Sequence, residues 1–242
     1  MSNRRTMGMA DGSAAGPSLQ RALMLLMNWL SPAFPVGGFS YSHGLEKAVD
    51  VGALRTADDV SRWILRILRH GGGCIDAVLL LEAHRAVLAG DRVRLADARE
   101  LADAWRGTAE TALEARSQGR AFTATLKSGW PSPALAPWLD DLEAASYAIA
   151  VGAATAAEGI EETLALSAFL QAVAANLVSA AVRLVPLGQT DGQKVLRALA
   201  GHIPALVAQS QSTPLDALGT ASPMVDWTSM SHETQYTRLF RS

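Results

Sequence analysis

The chain has 242 residues, 49% of them hydrophobic, which is enough apolar material for one sizeable core; a formal net charge of −2 and a pI near 6.2 leave no basic footprint for nucleic acid. A single cysteine, Cys74, excludes an intramolecular disulfide and a cysteine-built zinc site, and with no secretory signal pattern it points to a reducing, cytosolic setting.

Residues 1–17, MSNRRTMGMADGSAAGP, carry two arginines with no apolar run behind them and read as a disordered leader. Leu19, Leu23, Leu26 and Leu30 recur at helical spacing and predict a helix that stops at Ser31–Pro32. The stretch SPAFPVGGFSYSHGLEKAVD, Ser31–Asp50, follows. Pro32 and Pro35 deny helix, Gly37 and Gly38 permit unusual backbone geometry, and Phe39 to His43 crowd aromatic and hydroxyl groups together. It reads as a shaped loop opening into a helix from about Ser40 to Gly52.

Thr56 then caps an amphipathic helix with Val60, Trp63, Ile64, Ile67 and Leu68 on its apolar stripe, Asp58 and Asp59 in its first turn, and Gly71–Gly73 at its end. Ile75–Leu88 is the next helix. Val93 to about Ser117 reads as one longer helix, with Gly119 as an interruption and RAFTATLKSGW as a short continuation. A proline-rich connection, Pro131–Pro137, leads into an alanine-rich half, Trp138–Val185, with breaks expected at Gly152 and Gly159–Ile160.

Within that half, Thr163–Val182 is uncharged over a length that could span a bilayer, but its alanines, Gln171 and Asn176 make a poor span and favour a buried central helix. Pro186–Gln193 is a second shaped connection. Gln193–Gln211 resumes helical spacing with a kink expected at Pro204, and the tail begins irregularly and ends in a short aromatic helix candidate. With no sustained strand alternation, the expected fold is all-α, a single-domain bundle of about eight to ten helices.

Catalytic signals are sparse. His43, His70, His84, His202 and His232 are scattered, and three glycines separate His70 from Cys74. Ser40, Tyr41, Ser42 and His43 form the nearest nucleophile grouping, without a nucleophile-elbow pattern, and Gly44 is followed by Leu45 where a phosphate loop needs lysine. A stand-alone all-α enzyme using the Ser40–His43 loop is the alternative that this grouping leaves open. Asp58–Asp59, Asp140–Asp141 and Glu161–Glu162 each lie where a helix begins, where the dipole favours them. The closing HETQYTRLFRS combines aromatic and arginine anchors of the kind that interfaces favour.

Four stretches, PVGGFSYSHGLEKAV, YAIAVGAATAAEGI, AAVRLVPLGQTDGQ and HETQYTRLFRS, in this order along nearly the whole chain, resemble the UreF family of urease accessory proteins. The resemblance implies an all-α homodimer without catalytic activity, cofactor or bound metal of its own. It further implies partners: UreD (also called UreH) and the GTPase UreG, in a complex that delivers nickel to apo-urease, with neither nucleic acid nor membrane involved. Matched residue by residue, the opening motif puts Pro35, Gly37, Gly38, Phe39, Tyr41, Gly44 and Glu46 on family positions, and the closing motif puts Arg238, Leu239, Phe240 and Ser242 there. By the same resemblance Tyr41 and Arg238 lie on the surface offered to the GTPase, and the C-terminal segment is associated with UreD. His43 stands where relatives often have glutamine, so no histidine chemistry attaches to it. The implied organisation is a leader over 1–17, an all-α domain over 18–211 and a partner-binding tail over 212–242.

Overall fold

The computed structural model describes residues 18–241; the expected leader and Ser242 lie outside the described residues. All regular structure among them is helical, with no strand, as the sequence led one to expect. The twelve α-helices are α1 (Leu19–Trp29), α2 (Leu45–Asp50), α3 (Ala57–His70), α4 (Gly72–Leu88), α5 (Arg92–Ala104), α6 (Ala109–Gly129), α7 (Leu139–Leu142), α8 (Tyr147–Ala157), α9 (Glu162–Leu184), α10 (Gln189–Ala200), α11 (Ile203–Ser212) and α12 (Pro223–His232). Ten of these run ten residues or more, and α2 and α7 are shorter.

Side-chain caps set five of the twelve helix starts. Thr56 and Asp59 form a capping box at α3, Asp91 caps α5, and the Glu161 carboxylate takes the Thr163 and Leu164 amides at the head of α9. The acidic pairs at these starts are therefore helix-building groups. Glu162 is further fixed by Arg85, whose Nε donates to it at 3.0 Å.

Two helices form the centre. α4 and α8 are buried on nearly every side and cross each other closely, with α3, α5, α9 and α11 around α4 and α6 against α8. Glycine allows the approach: a Cβ on Gly152 would overlap the Leu80 carbonyl oxygen of α4, and one on Gly119 would overlap the Ala145 carbonyl oxygen. Both glycines were expected to interrupt helices; both instead sit inside them, because what they supply is space for a neighbouring backbone.

Other boundaries also move. The helix expected over Val93–Ser117 is two, since Thr108 makes a capping box with Thr111 and restarts the chain as α6. The helix expected over Gln193–Gln211 is also two, and Pro204 lies in the first turn of α11, where a missing N–H costs nothing. α9 is long and apolar enough to cross a membrane by length and composition, and half of that stretch is buried inside the bundle. The fully enclosed helices are α4 and α8, and α9 lies beside them: it sends Phe169, Leu170, Ala174 and Leu177 inward. A chain of aromatic contacts, Trp29 to Phe122 at 6.1 Å, Phe122 to Tyr147 at 5.6 Å and Tyr147 to Phe169 at 5.6 Å, ties α1, α6, α8 and α9 together. Phe34 joins it at 5.3 Å from Phe122 and so anchors the Ser31–Gly44 loop to the core.

His84 is buried in α4 with its Nε2 2.8 Å from the Ile160 carbonyl oxygen, and burial holds its pKa below the ordinary 6.5. The unfolded chain takes this proton near 6.5 and the folded chain resists it, so the stability that His84 contributes is present above that value and lost as pH falls below it. His84→Gln keeps a donor for Ile160 and removes the titration; its urea midpoint is expected to fall less steeply than that of the unaltered chain between about pH 7 and pH 5. An equally steep fall contradicts this.

Candidate functional site

The opening loop makes three left-handed residues, Gly37 at φ 73°, His43 at φ 54° and Gly44 at φ 77°. Gly44 is needed for space as well as for φ, because a Cβ there would lie 2.8 Å from Thr228 Oγ1 and 2.9 Å from the Ser229 amide nitrogen of α12. Thus α12 lies directly on the loop, and α2 starts beneath it. Ser42, fully buried, accepts the Glu46 amide in the first turn of α2 at 3.3 Å.

Glu46, in the first turn of α2, is the hub. Its Oε1 accepts the Leu239 amide at 2.7 Å, and its Oε2 accepts the Phe240 amide at 2.9 Å and faces His232 Nε2 at 3.1 Å. The other ring nitrogen, His232 Nδ1, is 2.9 Å from both carboxylate oxygens of Glu110, in the first turn of α6. Each nitrogen of the fully buried His232 ring thus faces a carboxylate. Arg238 Nη1 completes the set by donating to Glu110 Oε1 at 3.2 Å. Two carboxylates thus meet one imidazole and one guanidinium, so each buried acid has a cationic or amide partner.

A second set of bonds ties the tail to the loop. The Arg241 amide donates to the Ser40 carbonyl at 2.8 Å, and the Arg183 guanidinium lies 4.4 Å over the Phe240 ring while donating to the Phe39 carbonyl at 2.9 Å. The short helix of the tail is α12; residues 233–241 beyond it run without helix, and the amides of Leu239, Phe240 and Arg241 are taken by Glu46 and the loop.

The residues singled out at the two ends of the chain therefore come together, but they do not all face outward. Phe39 is 70% exposed, Leu239 65% and the Arg238 side chain 40%, with Tyr236 fully exposed beside them. Pro35 is also exposed. Phe240, Gly38 and Glu46 are buried and hold the surface in place. Tyr41, expected at the surface, is only 5% exposed. Its ring packs inward beneath the loop because Phe34 and the turn at Gly37 draw that segment onto the core.

Tyr41 there lines a cavity of about 60 Å³ together with His43, Glu114, Tyr147, Phe169 and Asn176. Burial opposes a charge on His43, but Glu114, with its Oε2 3.5 Å from Nδ1, outweighs this and raises the pKa above the ordinary 6.5. His43 thus faces a carboxylate on α6, and Ser42 accepts a helix amide.

Glu110, His232 and Arg183 were not singled out from the sequence. Glu110 and His232 are 122 residues apart, and Glu46 and His232 186 apart, so no local spacing carries the relation.

Fold and site together define an all-helical protein whose built polar centre is a junction between an N-terminal loop and a C-terminal tail. A family model described as UreF matches residues 54–200. The chain is 48% identical over 221 residues to the urease accessory protein UreF of Bradyrhizobium sp. strain BTAi1, covering 91% of this chain and 92% of the relative. It is 47% identical over 233 residues to that of Rhodopseudomonas palustris strain BisB5, covering 95% and 96%, and 45% identical over 230 residues to that of Magnetococcus marinus, covering 93% and 100%. The chain belongs to the UreF family of urease accessory proteins.

Proposed function

We propose that this protein is a non-catalytic cytoplasmic scaffold that bridges UreD (UreH) and the GTPase UreG for GTP-dependent insertion of nickel into apo-urease, and that it works as a homodimer. The observation that supports this most is the loop–tail junction: buried Glu46 and Glu110 hold Leu239 and Arg238, and Arg183 holds the Phe39 carbonyl, so that side chains from opposite ends of the chain meet at one surface. Rigid display of aromatic, aliphatic and arginine side chains suits protein capture, where a few such anchors supply most of the energy. Such a scaffold acts by favouring one conformation of the GTPase through contacts that the other conformation lacks.

Further exposed apolar residues support a reading of the remaining contacts. α12 presents Met224, Trp227 and Met230, which we assign to UreD, next to the tail. α1 presents Leu19, Leu23 and Met27 at successive helical turns, which we assign to the second copy of the chain.

Tyr41 then contributes from inside, by supporting the loop that carries Phe39. Phe39→Ala and Leu239→Ala are each expected to weaken capture of GTP-loaded UreG by about 2 kcal/mol, roughly thirtyfold, with helicity unchanged. Capture that survives both substitutions refutes this surface.

A further inference from the structure

Arg183, in the last turn of α9, makes three contacts at once. Its Nε donates to the Ser179 carbonyl at 3.2 Å, its Nη2 donates to the Phe39 carbonyl at 2.9 Å, and its plane lies 4.4 Å over the Phe240 ring. The first contact roots the side chain in its own helix, the second holds the opening loop and the third holds the tail. The Arg241 amide, bonded to the Ser40 carbonyl at 2.8 Å, closes the gap between the two held segments.

We infer that Arg183 is a positioning residue that joins loop and tail into one surface, so that Phe39 and Leu239 are displayed in a fixed relation. The inference rests on the reading that this surface captures a partner protein. Glu46 fixes the tail to α2 and its amide bonds Ser42, whereas the carbonyl of Phe39 itself is held by Arg183. Arginine suits the task because its planar fork can donate in two directions while its face stacks on a ring. The side chain is exposed and lies outside the core, so removing it leaves the bundle intact.

The test is Arg183→Met in the full-length chain, read by amide hydrogen exchange, thermal melting and capture of GTP-loaded UreG. Exchange at Ser40 and Tyr41 in the loop and at Phe240 and Arg241 in the tail is expected to quicken together, by about tenfold, the effect of losing one charged hydrogen bond and one exposed cation–π contact. The melting temperature is expected to stay unchanged and capture to weaken by about fivefold. Quickening in only one segment, or in neither, overturns the inference. So does a lowered melting temperature with faster exchange throughout, which marks a merely structural role. If both segments loosen and capture is undiminished, the positioning role stands and the partner reading of the surface fails.

Discussion

Gly152→Val is expected to lower stability by about 3 kcal/mol, at the upper end of what overpacking a core costs, and the melting temperature by roughly 10 °C for a chain of this size. The reason lies in the α4–α8 crossing. The nearest atoms to a Cβ on Gly152 are the Leu80 carbonyl oxygen, carbonyl carbon and Cα, all backbone, so no side chain can rotate away. Both helices are enclosed, and separating them opens the core on several sides. Gly219→Ala, at a glycine with nothing within 4 Å of its added Cβ, serves as the control and is expected to leave melting unchanged. Equal melting of the Gly152 variant and the control contradicts the close crossing.

Glu46→Gln is expected to cost a similar amount, about 3 kcal/mol, because it leaves buried donors without the acceptor that the carboxylate supplies. The carboxylate accepts from Leu239, Phe240 and His232 together. Glutamine keeps the shape but replaces one acceptor oxygen with a donor and removes the charge that faces the imidazole. The tail should detach first: amides 239 and 240 should exchange as in an unstructured chain while circular dichroism reports intact helices. Protection of those two amides at the unaltered level would show that the tail is held by something other than Glu46.

These two residues also show how much the sequence discloses. The all-α class, the amphipathic α3 and its capping box follow from local chemistry, in which each residue interacts with others three or four positions away. Gly152 and Gly119 did not yield to the same reasoning. A glycine in a helical pattern reads as a break by propensity, and only the backbone packed against it shows why the helix continues.

The candidate site was half legible. Its loop and tail stood out as motifs, yet the groups that weld them, Glu110, His232 and Arg183, look locally like a helix-start acid, a scattered histidine and a helix-end arginine. Which motif residues face outward was likewise hidden: Tyr41 and Phe240 resemble Phe39 and Leu239 in type, and only their packing separates supports from anchors.

The most direct test of the scaffold reading is size-exclusion chromatography with light scattering on the full chain, alone and mixed with the cognate UreD and GTP-loaded UreG. A dimer that takes both partners into one larger species is the expected result. A chain that elutes at its own mass in the presence of both contradicts it.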